Sequence, residues 1–339
     1  MSARFQILAL SGGGYRGLYT ATVLAALERS IGKPLAQCFD LIAGTSVGGI
    51  LALALAFEVP AATLADLFAS HGSEIFRRQR GNFFGFLKAK YSSKSLQELL
   101  SQPGVFGQRF LGSSRHRVVV PAVNYSSGLP VIFKTPHHPN FKTDHARAAI
   151  DIALATAAAP FYFRRHRFDH NQYADGGLFA NAPGLVALHE AEHFLSVNAA
   201  EVHLLSVGTM TSRFTVDPRR SIAGGILDWG RGNPVSAAQR LFGVTISVQE
   251  SLTDNILEHR LTTSRYIRLD DLLTPDRANA VSLDRVDDAA REVLVGSANE
   301  RAKHALGNPL VVEMLQHTAP TARFYYGDHA VPDRGIPHA

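Results

Sequence analysis

Apolar runs and amphipathic stretches alternate over the first two thirds of the chain. Phe5 to Leu10 is an almost unbroken apolar run of strand length, and Ser11 to Gly17 follows it as a glycine-rich turn. Tyr19 to Leu27, rich in Ala and Leu, predicts a helix. Asp40 to Ala43 predicts a second short strand, which runs into Gly44-Thr45-Ser46-Val47-Gly48-Gly49, and Ile50 to Phe57 continues as an apolar helix stopped near Pro60. Further strands are predicted at Arg117 to Val123, Pro130 to Phe133 and Val202 to Val207, with an Ala-rich helix over His145 to Ala159 ended by Pro160. Strands alternating with helices give an α/β fold with a largely parallel sheet. After Thr209 a loop around Asp217-Pro218-Arg219-Arg220 precedes a long helical pattern in which Leu241, Val248, Leu252 and Ile256 share one face. The stretch from about Thr318 is rich in Pro, Gly and aromatics and predicts an extended tail, and a boundary is expected near residue 211.

Composition narrows the class without choosing a function. The 339 residues are 46% hydrophobic and 19% charged, which excludes a disordered chain or a highly charged coiled coil and allows a sizeable core. The single cysteine, Cys38, excludes a disulfide framework and a Cys-based zinc site and is expected to pack as a small hydrophobe. The start of the chain carries only Ile7 to Leu10 as an apolar stretch, too short for a signal-peptide core, and Ile50 to Phe57 falls far short of a membrane span. A cytoplasmic protein is expected. The net charge of +5 favours an anionic partner.

Three segments carry chemistry. Gly44-x-Ser46-x-Gly48, between a strand and a helix, has the form of a nucleophile elbow, in which Gly44 and Gly48 permit a sharp turn that exposes the serine hydroxyl. Ser11-Gly12-Gly13-Gly14-Tyr15-Arg16-Gly17 lets successive backbone N–H groups converge on an oxyanion or a phosphate, with Arg16 adding positive charge. The same run satisfies a dinucleotide-binding fingerprint, but its expected acidic partner at the end of the second strand is missing: Asp40 stands at that strand's beginning. Leu18 after Gly17 excludes a phosphate-binding loop that needs Lys there. The third segment, Tyr173-Ala174-Asp175-Gly176-Gly177, presents a carboxylate at a tight turn. None of the 15 histidines stands in a context that marks a general base, although a Ser-His-Asp triad remains an alternative.

In this order, the Gly12 to Gly17 run, the Gly44 to Gly48 elbow and Asp175-Gly176-Gly177 resemble the patatin-like phospholipase family. Ala153 to Phe163, Asn181-Ala182-Pro183 and Ser206-Val207-Gly208-Thr209 are similar to further segments of that family, so the resemblance covers residues 5 to 211. It implies a three-layer α/β/α fold with a central, mostly parallel sheet, a catalytic domain over 5–211 and a helical extension over 212–339 packed on the core. It also implies a Ser-Asp dyad in place of a triad: Ser46 as nucleophile, Asp175 as base, Gly12, Gly13 and Gly14 as oxyanion hole supported by Arg16, and no metal or catalytic cofactor. An aspartate at its ordinary value, near 4, is a poor base at neutral pH, so a desolvated site that raises the Asp175 value is expected. The implied reaction is ester hydrolysis of membrane phospholipids through an acyl-serine intermediate.

Two expectations concern partners. Between Glu74 and Glu98 there is no acidic residue, yet Arg77, Arg78, Arg80, Lys88, Lys90 and Lys94 interleave with Phe76, Phe83, Phe84, Phe86 and Tyr91. This pattern suits peripheral contact with an anionic membrane, here the inner face of the cell membrane; burial of the aromatics, as packing or as a lid, is the alternative. Arg77, Arg78, Arg80, Phe83 and Phe84 are the candidates for that contact. Phe161 to Arg167 is a second basic-aromatic cluster, expected to pack under the Asp175 loop with the lining of a substrate path as the alternative, and no pattern of a nucleic-acid-binding module is present. Finally, the start Ile7 to Leu18, with the C-terminal region, resembles bacterial patatin-like effectors of anti-phage signalling systems. That resemblance implies activation by a cyclic dinucleotide such as cyclic GMP-AMP; an ungated housekeeping lipase and a non-hydrolytic nucleotide-binding module are the alternatives, and an oligomer is compatible with either.

Overall fold

The computed structural model describes residues 4–79, 88–210, 219, 223–230, 232–273 and 281–331. Among them, eight strands form one mixed sheet: Phe5–Leu10 (β1), Leu41–Gly44 (β2), Val118–Asn124 (β3), Leu129–Lys134 (β4), His166–Phe168 (β5), Asn171–Asp175 (β6), Val202–Val207 (β7) and Tyr266–Leu269 (β8). The order is β5-β6-β3-β2-β1-β7-β8, with β4 also paired to β3. The pairs β1–β2, β1–β7, β2–β3 and β7–β8 are parallel, whereas β4 and β6 run antiparallel to β3 and β5 antiparallel to β6.

The sheet is covered on both faces, which explains the nearly continuous apolar runs of its central strands. Along β1, Leu8 and Leu10 enter one hydrophobic core and Ile7 and Ala9 the other, as the strand's two-residue period requires. Gly17–Ile31 (α1), Val47–Ala56 (α2), Ala61–Ile75 (α3), Lys94–Leu100 (α4) and Ala149–Thr156 (α5) build the larger core. After the short Gly177–Ala180 (α6), Gly184–His193 (α7) covers the opposite face, where it is joined by Pro234–Leu261 (α9), which follows Ile226–Trp229 (α8). Asp288–Leu306 (α10) packs along α1, and Pro309–Gln316 (α11) packs on α10 and the turn before β2. Residues beyond 211 therefore supply an edge strand, β8, as well as helices. Cys38 is buried, its Sγ 3.2 Å from the Leu315 carbonyl.

The structure corrects one predicted helix. His145 to Ala159 is not continuous: α5 begins only at Ala149 and ends at Thr156. Ala148 instead forms a bridge with Phe110, with Leu111 N donating to the Arg147 carbonyl and Ala149 N to the Arg109 carbonyl, and this pairing holds residues 147–148 extended. The face shared by Leu241, Val248, Leu252 and Ile256 exists on α9, but it points outward: Leu241, Val248 and Leu252 are more than half exposed. The buried stripe is Phe242, Ile246, Glu250, Thr253, Leu257 and Leu261.

Candidate active site

Ser46 stands where β2 turns into α2. Its backbone is left-handed, φ 56° and ψ −126°, a conformation unfavourable for a residue with a side chain and held here by the surrounding turn. The turn is tight enough to demand its glycines. A Cβ on Gly44 would stand 2.0 Å from the Gly48 carbonyl oxygen, and one on Gly48 would stand 2.3 Å from the Leu10 carbonyl oxygen. Thr156, at the end of α5, fixes the serine: its hydroxyl accepts from Ser46 N at 2.9 Å and donates to the Pro121 carbonyl at 2.6 Å.

Asp175 ends β6, which is a strand at a position the sequence reads as a turn. Its Oδ2 accepts the Ser46 hydroxyl at 2.7 Å and its Oδ1 accepts Gly177 N–H at 2.7 Å, while its own amide donates to the Ala158 carbonyl. The carboxyl is 1% exposed. Burial pushes it up to about 7, against the downward pull of the Ser46 hydroxyl and the Gly177 amide. The expected desolvation is thus present. No histidine touches Ser46 or Asp175 among the described residues.

The glycine-rich loop frames the same pocket, but its members are not equivalent. Gly12 N–H is donated to the Asn181 carbonyl at 3.0 Å, and the Gly12 carbonyl accepts both Asn181 Nδ2 and the Thr209 hydroxyl, so Gly12 is spent on holding the loop. Gly13 and Gly14 line the pocket beside Ser46, Gly14 with φ 58°. Arg16 does not line it. Its guanidinium is buried behind the loop, with Nη1 donating to the Met210 carbonyl and Nε without a partner among the described residues.

Two further positions shape the site: Asn181, which the sequence marks only through the family resemblance, and Leu283, which carries no sequence signal. Asn181 also donates to Glu250 of α9, a buried carboxylate 3.9 Å from Arg268 of β8, and so ties the loop to the C-terminal region. Leu283 accepts Tyr15 N–H at 2.8 Å and lines the pocket. The remaining lining is apolar, with Ile50, Phe68, Phe163, Phe242 and Ile246.

The acid-free stretch divides. Phe76 packs edge-on against Tyr15 and Tyr91, Tyr91 is buried with its hydroxyl on Asp284, and Lys90 is paired with the same carboxylate. These residues follow the packing alternative. Arg77 and Arg78 are exposed, whereas Arg80, Phe83 and Phe84 lie outside the described residues.

A hydroxyl at a strained elbow, held by a buried carboxylate beside Gly13 and Gly14, has the arrangement of a serine-type ester hydrolase site. A family model described as patatin-like phospholipase matches residues 8–188, and the chain belongs to that family. The likeness runs past that segment. A protein of Pseudomonas aeruginosa named cGAMP-activated phospholipase is 47% identical over 340 residues, covering 99% of this chain and 98% of that protein. Proteins of the same name from Vibrio cholerae and Escherichia coli are 35% and 32% identical, each covering 88% of this chain and 90% and 89% of their own lengths.

Proposed function

We propose that this chain hydrolyses ester bonds of membrane phospholipids, with Ser46 as nucleophile and Asp175 as general base, and that cyclic GMP-AMP switches it on in an anti-phage response. The observation that carries the catalytic part is the 2.7 Å hydrogen bond from the Ser46 hydroxyl to a carboxylate whose value burial brings to about 7. At that value the base is half ionised near neutral pH and strong enough to take the serine proton. As Ser46 Oγ bonds to the ester carbonyl carbon, its proton passes to Asp175 Oδ2, and the amides of Gly13 and Gly14 receive the oxyanion. Collapse breaks the bond to the lysolipid alcohol, which leaves with the proton from Asp175. Water then attacks the acyl-serine, gives its proton to Asp175, and releases the fatty acid with Ser46 restored.

Gating has support in the pocket as well as in the relatives' names. The cavity over Ser46 measures about 50 Å³, well below the roughly 300–1,000 Å³ of ligand-sized pockets. An acyl chain enters only after the apolar lining opens. Peripheral membrane contact is supported beside this pocket. Helix α9 sends Phe242 and Ile246 inward to line it and turns Leu241, Val248 and Leu252 outward, next to the exposed Ile226, Leu227 and Trp229 of α8. No described helix is long and apolar enough to cross a membrane, so this apolar face would seat the chain on the inner leaflet without spanning it.

The test is phospholipid hydrolysis by the wild-type chain and Ser46→Ala, each with and without cyclic GMP-AMP. The expected result is release of fatty acid by the wild type only, and only with the nucleotide. Turnover by Ser46→Ala would remove the nucleophile assignment, and full wild-type activity without nucleotide would remove the gate.

A further inference from the structure

A second cavity, about 800 Å³, shares Phe163 in its lining with the catalytic pocket. Its character is the opposite of the apolar pocket. Arg164, Arg165 and Lys88 line it with Tyr125 and Phe161, and its described lining includes no acidic side chain. Arg164 and Arg165 are exposed and make no ion pair or hydrogen bond among the described residues, while Arg165 lies 4.3 Å over the Tyr125 ring. Tyr125 and Phe161 are themselves 56% and 52% exposed. Phe161 also has a left-handed backbone, φ 70°, in a turn held by Lys90 N on its carbonyl and Tyr91 N on the Tyr162 carbonyl. An aromatic ring kept exposed at a strained position, beside two unneutralised guanidiniums, is arranged for a ligand with both negative charge and a flat face.

We propose that this cavity binds a phosphodiester carrying an aromatic base, and that it is the seat of the cyclic dinucleotide activator. The proposal rests on the gating reading above. Guanidiniums take phosphodiester oxygens in charge-assisted hydrogen bonds, and purines stack on Tyr125 and Phe161. The cavity's size suits a ligand of this class. Its walls lead directly to the chemistry. Ala174 lines it and immediately precedes Asp175, and the turn that bears Phe161 and Phe163 begins just after Ala158, whose carbonyl accepts Asp175 N–H. A ligand that binds more tightly when Phe163 has swung away from the catalytic pocket shifts the chain toward the open state.

The experiment measures binding of radiolabelled cyclic GMP-AMP to the full chain by equilibrium dialysis, in parallel with co-sedimentation on phosphatidylglycerol vesicles. The variants are the double substitution Arg164→Gln/Arg165→Gln and, separately, Tyr125→Ala, with circular dichroism melting to verify that both are folded. The expected result is nucleotide binding about 100-fold weaker in the double variant and about tenfold weaker in Tyr125→Ala, with vesicle binding unchanged. Wild-type binding that both variants retain within twofold overturns the location and leaves gating standing. No nucleotide binding by the wild type overturns the gating reading, and this proposal with it. Vesicle binding lost while nucleotide binding persists overturns the nucleotide assignment and makes the cavity a lipid headgroup site.

Discussion

Replacing Asp175 by Asn should sharply lower turnover and yet stabilise the fold. The carboxyl is ordinarily near 3.8 and is pushed up to about 7 by burial. Between those values the native chain holds a proton that the unfolded chain releases, so stability falls as pH rises through that window, and above 7 the native state carries the full penalty of the buried charge. The gap is about three units, and at 1.36 kcal/mol each the penalty is about 4 kcal/mol. Asn keeps the shape and the acceptor for Gly177 N–H, and its amide can donate to Ser46 Oγ in place of the bond Asp175 accepts. The variant's advantage in urea unfolding should therefore grow by roughly 2–3 kcal/mol from pH 5 to pH 8. Its kcat should fall by about 10²–10⁴, the usual worth of a positioned base. The wild-type kcat/KM should rise with pH through a midpoint near 7. An advantage equal at both pH values, or a loss of stability at pH 8, would refute the claim that Asp175 is a strained, desolvated base.

Thr156→Val tests how the elbow is held. It leaves Ser46 N–H and the Pro121 carbonyl unpaired in the interior, which should cost about 2–4 kcal/mol in urea unfolding and lower kcat more than it raises KM; a loss below about 0.5 kcal/mol contradicts it. Val248→Asp/Leu252→Asp tests the outward face of α9. Hydrolysis of vesicle phospholipid should fall by about tenfold or more while hydrolysis of a soluble short-chain ester stays within twofold, because each side chain forfeits apolar burial in the bilayer. Equal loss on both substrates would move the effect from membrane contact to the pocket.

What was legible in the sequence is what local backbone chemistry dictates. β1, the glycine loop and the Gly44 to Gly48 elbow lie within some fifty residues, and their strand-turn-helix form follows from apolar runs punctuated by glycine. Asp175 was legible only jointly with these, since Asp-Gly-Gly by itself describes many turns. The division of labour within the glycine loop was not legible. Gly12 and Gly13 look alike in sequence, but the Asn181 carbonyl takes the Gly12 amide, whereas the Gly13 amide has no backbone partner among the described residues and Gly13 lines the pocket.

The same distance effect explains α9 and says why its role had to come from the structure. Its sequence carries two apolar stripes at helical spacing: Leu241, Val248 and Leu252 on one side, Phe242, Ile246, Leu257 and Leu261 on the other. Periodicity picks out the first, together with Ile256, as the shared face, and the stripe that is buried contains Glu250 and Thr253, which hydropathy would turn outward. Glu250 is inside because Asn181 donates to it and Arg268 of β8 lies 3.9 Å away, partners about seventy and eighteen positions away in the chain. A buried carboxylate is stable only where such partners converge, so the helix takes its rotation from the loop that frames Ser46. That choice of inner face is also what leaves the other stripe exposed, so the proposed membrane face and the apolar lining beside Ser46 are set by one group of polar contacts.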